Sequence, residues 1–295
     1  MDSEAREKYV EAGETAKKAK KKARELAEPG TRLKTIADEV EALIRNEGFK
    51  PAFPVNLSPN QEAAHYSPGR DTERKLAESD VLKIDVGVQN DGFIADTAIT
   101  VNPSGERQEM IETNKKVLEK ALNFLEPGKT VGELGTFIHN QVPDEYQVVR
   151  NLTGHYLDRY TQHAGVSIPN IRSKSNHVFE EGDAVAIEPF LSTGSGKIKE
   201  GKKGNIYKLE SDRNVRGRQE RQLLKKIESF QGLPFSIRWF DSLSAREKMA
   251  LKKLVQNRAV KHYPILRDAE DAVVSQMEHT VLVGVDDGEN VVTTR

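Results

Sequence analysis

The chain carries one passage twice, and each copy ends on a carboxylate. ESDVLKID, Glu78 to Asp85, and EGDAVAIE, Glu181 to Glu188, align without a gap at an offset of 103. In each, a Glu-x-Asp turn leads into alternating apolar residues and an acid. Further matches extend the repeat: Glu28-Pro29-Gly30 recurs at Glu126-Pro127-Gly128, 98 residues separate His65 from His163, and the stretch 95–101 parallels 277–283. A period near 100 is too long for a solenoid and suits a duplicated domain. Two such halves should face each other across a pseudo-two-fold axis, which would bring their paired acids and histidines to one central site.

The copies are unequal. Asp96 follows Asp85 by 11 positions, whereas Glu278 follows Glu188 by 90, so the second copy holds 79 further positions, 90 less 11. Residues 197–270 contain 19 Lys/Arg and 9 Asp/Glu, a net of +10; the overall charge of -1 then leaves -11 for the rest. This predicts a single catalytic domain over 1–295 with a basic helical subdomain at about 197–270 grafted between two strands. Its helices are expected at Gln219–Phe230 and Ser244–Gln256. Their charge is most simply a solvated face, and the competing reading is contact with RNA or the ribosome.

Zero cysteines in 295 residues exclude disulfides and thiolate metal ligands, which fits an intracellular or thermally stressed protein. The first 30 residues are charged, without the apolar core of a signal peptide, and no apolar run reaches the length of a membrane span. A soluble cytoplasmic monomer is expected, with neither a membrane nor DNA as partner.

Periodicity places helices at Glu4–Ala27, closed by Pro29-Gly30, and at Thr31–Asn46, with Lys17–Lys22 as a solvated basic face. Prolines 51, 54 and 59 then predict a long ordered loop that carries His65. Strands follow at Val81–Val88 and Phe93–Val101, and Asn90-Asp91-Gly92 between them is a strong hairpin signal. Helices are expected at Gln108–Leu125 and Val131–Asn140, then a strand-loop-strand over Val148–Gly165 with two histidines.

The chemistry lies in the acids. The hairpin should place Asp85 and Asp96 nearly opposite each other on adjacent strands, within reach of a shared cation. Unpaired carboxylates among Val, Ile and Ala are costly to bury, and metal ions remove that penalty. Four carboxylates at repeat-related positions, with the His155 imidazole, can hold two divalent ions, and the donors suit Mn, Fe, Co or Zn rather than soft copper. Thr193-Gly194-Ser195-Gly196-Lys197 suggests a phosphate loop but lacks the P-loop spacing.

These residues sit in stretches that resemble a known family. Phe53-Pro54-Val55-Asn56, Ala63-Ala64-His65-Tyr66, Lys83-Ile84-Asp85-Val86-Gly87, Ile94-Ala95-Asp96, Asn151-Leu152-Thr153-Gly154-His155, His163-Ala164-Gly165, Ala186-Ile187-Glu188-Pro189-Phe190 and Glu278-His279-Thr280 are similar to the motifs of methionine aminopeptidases. The long insert resembles the type 2 branch, and the short amino-terminal region its archaeal members. The resemblance implies an α+β pita-bread fold, in which duplicated antiparallel sheets carry helices outside, and a winged-helix-like insert. It implies that Asp85, Asp96, His155, Glu188 and Glu278 ligate two metal ions, with Asp96 and Glu278 bridging. Glu188 would shuttle a proton, His163 would face the scissile carbonyl and His65 the leaving amide, and the substrate would be a nascent polypeptide's amino terminus.

By the same resemblance Phe53 and Tyr263 line the methionine pocket, with Phe190 and Trp239 behind them. Gln162 departs from the pattern, because an apolar residue usually precedes the histidine at this pocket. His279 is expected to be structural, and His139, His177 and His262 to be surface or packing residues. A proline-specific dipeptidase would share the acids but carry a further amino-terminal domain. A non-catalytic binding protein of this fold would have lost ligands, and all five are present.

Overall fold

The computed structural model describes residues 1–212 and 215–295. The Ala/Lys/Glu-rich start forms α1 (Ser3–Leu26), whose first turn is capped by Asp2 accepting the Ala5 N–H at 2.7 Å. Its small buried residues, Ala12, Ala16, Ala19 and Ala23, let it lie flat. A Cβ at Gly13 would strike the Thr293 carbonyl, so glycine is what permits this close approach. Helix α2 (Leu33–Asn46) buries Leu33, Ile36, Ala37, Val40 and Ile44 on one face.

Where the prolines predicted a loop, the chain makes three short strands, β1 (Lys50–Pro51), β2 (Asn56–Pro59) and β3 (Glu62–Ala64). Pro51 and Pro59 sit at strand ends, where the missing N–H costs little, and Asn60 turns between β2 and β3 with φ 53°. The predicted hairpin forms as β4 (Leu82–Asn90) and β5 (Phe93–Val101), with positive φ at Asp91 (50°) and Gly92 (93°). β4 lies between β5 and the short strands β1 and β2, and α1 covers the β4–β5 pair.

The second half repeats the plan. Two helices, α3 (Gln108–Phe124) and α4 (Val131–Gln141, with a Thr130/Glu133 capping box), precede β6 (Gln147–Val148), β7 (Thr153–Tyr156), β8 (Ser167–Pro169), β9 (Ala184–Ile187) and β10 (Phe190–Ser192). His163 falls in the link from β7 to β8, so the second strand of the predicted strand-loop-strand starts only at Ser167. The added residues then form β11 (Lys199–Leu209), α5 (Arg218–Ile227), β12 (Phe235–Ser236), α6 (Ala245–Gln256) and β13 (Val260–Arg267). Both helices form where expected, and three strands accompany them. The chain ends with β14 (Val274–Gln276), β15 (His279–Asp286) and β16 (Glu289–Val292). A sheet of order β16-β15-β9-β7-β8 results. The two halves meet where Ala98 and Glu278 exchange backbone hydrogen bonds at 3.3 and 3.0 Å.

Helices α5 and α6 enclose their own core of Leu223, Leu224, Ile227, Phe235, Leu251 and Leu254. An ion pair ties this region to the first half. Arg238 donates at 2.7 Å to both oxygens of Glu41, which is fully buried and also accepts from Trp239 Nε1 and the Val55 N–H. Removing one partner of such a pair costs about 3–5 kcal/mol, because the other charge stays buried.

Candidate metal centre

Register fixes the first two acids. Gly87 pairs with Asp96 and Asp85 with Ala98, so the acids share a face but are diagonal neighbours rather than opposite, as the sequence had suggested. The tight two-residue turn sets this offset, and diagonal positions remain within reach of one cation. In the second half His279 pairs with Ile187, and Glu278 and Glu188 flank that pair one step further along. His155 on β7 lies opposite Ala186. Its Nε2 is 3.7 Å from Asp96 Oδ2 and 3.7 Å from Glu188 Oε1. Ligand atoms of Asp96, His155 and Glu278 lie within 4.8 Å of one another.

Burial makes this cluster electrically unfavourable as bare protein. Burial pushes the carboxyls of Asp85, Glu188 and Glu278 well above their usual range, with repulsion from neighbouring acids adding to it. Burial likewise raises Asp96 to about 7. Asp85 Oδ1 has no hydrogen-bond partner. Carboxylate oxygens converging with one imidazole, one of them orphaned, are the donor set that divalent ions of borderline hardness require, so the residues fit such ions. The surroundings hold the acids in place: Thr280 Oγ1 accepts from Asp96 N–H and donates to its carbonyl, and Thr97 Oγ1 donates to the Glu278 carbonyl.

A cavity of about 550 Å³ opens over the acids, and His65, His163, Phe53, Tyr263 and Gln162 line it. His65 has φ 65°, a strained value for a residue with a side chain. Its ring meets Tyr263 edge-on at 5.2 Å, and its buried Nδ1 has no partner. Burial lowers both His65 and His163 to about 4, with further lowering of His65 by His163 and of His163 by Lys208 and Lys261. Gly87 leaves the space that the Phe53 ring fills. Phe190 also lines the cavity, but Trp239 does not: its indole is drawn to Glu41, whose buried carboxylate needs the donor.

Gln162 reaches the acids, donating from Nε2 to Asp96 Oδ2 at 3.1 Å. Of the other histidines, His177 packs on Tyr156, His262 pairs with the Gly204 carbonyl and His279 with Thr294. All four, His139 included, lie outside the cavity. The Thr193–Lys197 loop wraps Asp268, which accepts from Ser192, Ser195 and the Gly196 N–H. Sequence reasoning missed Gln276, whose amide lies 3.4 Å from Glu188 and 3.5 Å from Glu278. Its one signal was position: two residues before an acid predicted to ligate.

Residues 7–283 match the model of metallopeptidase family M24. The chain belongs to that family. As an M24 protein it is similar to the curated methionine aminopeptidase of Pyrococcus horikoshii, 44% identical over 95% of this chain and 97% of the relative. The methionine aminopeptidase of Thermotoga maritima has the same fold, with a TM-score of 0.72 at 20% identity, covering 100% of this chain and 98% of that one. A thermophilic Arx1 superimposes with a TM-score of 0.88 at 16% identity, covering 99% and 91%. The M24 pita-bread fold read from the motifs is therefore borne out. No helix among the described residues is long and apolar enough to cross a membrane.

Proposed function

We propose that this chain removes methionine from the free amino terminus of nascent polypeptides whose second residue is small. The observation that carries this is one cavity lined by four carboxylates, Asp96 and Glu278 buried and Asp85 and Glu188 partly so, together with buried His155 and two neutral imidazoles. Asp85, Asp96, His155, Glu188 and Glu278 would hold two divalent ions, Mn, Fe, Co or Zn, with Asp96 and Glu278 serving both. Bound there, the ions would activate a water and polarise the scissile carbonyl. Glu188, whose carboxyl is pushed up by burial and then by its acidic neighbours, would take the proton and pass it to the leaving amine. His163, uncharged near neutral pH, donates a hydrogen bond to the carbonyl oxygen as negative charge builds there. His65, with Nδ1 free, faces the leaving amide. Phe53 and Tyr263 enclose the methionine side chain.

A monomer acting in the cytoplasm, where nascent chains emerge, is part of this reading. The test is to strip the metal, reload with Mn, Fe, Co and Zn separately, and assay Met-Ala-Ser against x-Pro dipeptides. Cleavage of the methionyl peptide alone, with two ions bound per chain, is expected. A preference for x-Pro would point to a prolidase, and failure to bind divalent ions to a binding scaffold.

Gln162 gives a finer expectation. Gln162→Leu restores an apolar wall and removes a donor from Asp96. The KM for methionyl peptides should fall several-fold with sharper discrimination against methionine sulfoxide, while metal affinity drops by about 10-fold or more. Unchanged KM and unchanged metal affinity would put residue 162 outside both roles.

For the basic subdomain at 197–270 the solvated face stands as the simpler reading, and docking on the ribosome is the alternative that charge reversal tests. Lys226 and Lys253 are already paired across the two helices, with Glu247 at 2.7 Å and Glu220 at 3.2 Å. Lys225 and Lys252 are exposed and are the better probes. Reversing both should weaken ribosome cosedimentation, which should also fall steeply with salt; indifference to both changes leaves a solvated face.

A further inference from the structure

β11 and β13 run antiparallel along one wall of the cavity, with Ile206 opposite Tyr263 and Lys208 opposite Lys261. Alternation turns Ile206, Lys208 and Glu210, with Tyr263 and Lys261 across from them, toward the cavity. The intervening Tyr207, Leu209 and Val260 face the core under α5 and α6. Like charges directly opposite each other destabilise a ladder. The two lysines nevertheless occupy such a pair, and among the described residues neither makes an ion pair or hydrogen bond. Lys261 only lies over the Tyr263 ring, at 4.6 Å. Glu210, one pleat further out and exposed, is paired with neither. Both ammonium groups act on His163, and Lys261 also on His65, so they share the space in which a substrate would lie.

Position selects the ligand. The lysine pair stands one pleat, about 7 Å, outward from Ile206 and Tyr263, and an extended peptide advances about 3.3 Å per residue. A polypeptide whose methionine sits against Tyr263 would therefore bring its third residue, two steps on, level with the two ammonium groups, and its fourth one step beyond.

We propose that Lys208 and Lys261 form a subsite for a carboxylate side chain at the third or fourth residue of the substrate, so that chains beginning methionine, small residue, acid are preferred. This rests on the aminopeptidase reading and adds to it a selection among substrates. The pair discriminates by charge, chiefly through binding.

The experiment compares C-terminally amidated Met-Ala-Glu-Ser-Ser and Met-Ala-Lys-Ser-Ser, so that no terminal carboxylate can substitute for the side chain. The wild-type, metal-loaded enzyme should favour the acidic peptide in kcat/KM by about fivefold at low salt, mostly through KM. Raising the salt should shrink the ratio. Lys208→Glu with Lys261→Glu should invert it, and Lys208→Gln with Lys261→Gln should bring it near one. Because both peptides meet the same enzyme sample, partial misfolding of a variant cancels from the ratio. A wild-type ratio near one overturns the proposal, as does a ratio that the charge reversals leave unmoved. Loss of ribosome binding with no change in peptide preference would assign the lysines to RNA phosphates and equally overturn it. Anisotropy of C-terminally labelled forms of the two peptides separates this claim from the one it rests on. Should no methionyl peptide be cleaved, the aminopeptidase reading fails, and tighter binding of the acidic peptide by wild type alone still decides the subsite.

Discussion

Glu278→Gln should abolish tight binding of divalent ions and peptidase activity together, yet make the metal-free protein more stable. Both effects follow from four acids sharing one buried site. In the proposed role Glu278 would serve two ions, which an amide could not, whereas without metal it is one of several acids repelling each other. The sign with pH follows from the shifts. Asp96 is raised from 3.8 to about 7, and Asp85, Glu188 and Glu278 stand well above their usual range. The native state therefore holds protons that the unfolded chain has released, and stability falls as pH rises through the folded values. Below about 6.5 the depressed histidines, His65 and His163 among them, oppose this trend by gaining stability as pH rises toward their ordinary value.

Above that pH the four acids outnumber Lys20 and Lys83, whose buried ammonium groups are held below their ordinary value and work the other way, so the melting temperature of metal-free protein should decline upward from there. The decline should be shallower in Glu278→Gln, and divalent ions should reverse it in the wild type alone. Metal analysis and thermal melts across pH check this. A variant that keeps two tightly bound ions and a near-normal rate would falsify the ligand assignment, and a flat pH profile would refute the repulsion.

His65→Ala and His163→Ala should each lower kcat by roughly 10²-fold or more, the scale of losing one positioned donor, with metal content unchanged. The two rings border the acids without belonging to them: His163 lies 4.5 Å, centroid to centroid, from His155, the imidazole proposed to ligate. Since burial holds both near 4, they stay uncharged from neutral pH down to about 5. Loss of metal in parallel with activity would show that they ligate rather than donate. Single-turnover rates and metal analysis on the same preparations distinguish the two.

Much of the site was legible before folding was considered, because duplication copies residues in register. Asp85 and Glu188 end matching passages, and the Asn90-Asp91-Gly92 turn is a local signal that fixes which residues of β4 and β5 face together. Helices α1 to α6 were legible from local composition, spacing and stop signals, which depend only on neighbours along the chain. The strands β1 to β3 did not, since two to four residues are too few to show a period and prolines at their ends look like loop. What remained hidden involves partners far apart in sequence. Gln162 meets Asp96 across 66 positions, Arg238 meets Glu41 across 197, and Gln276 reaches Glu188 across 88. Trp239 looked like a pocket wall and instead serves a buried carboxylate. The pairing of Lys208 with Lys261 likewise exists only once β11 and β13 align. Sequence by itself determined which groups could do chemistry, since residue type and local period are carried along the chain. Tertiary structure alone decided which buried polar atoms found partners, because a hydrogen bond or a charge contact depends on distance in space and hardly on separation along the chain.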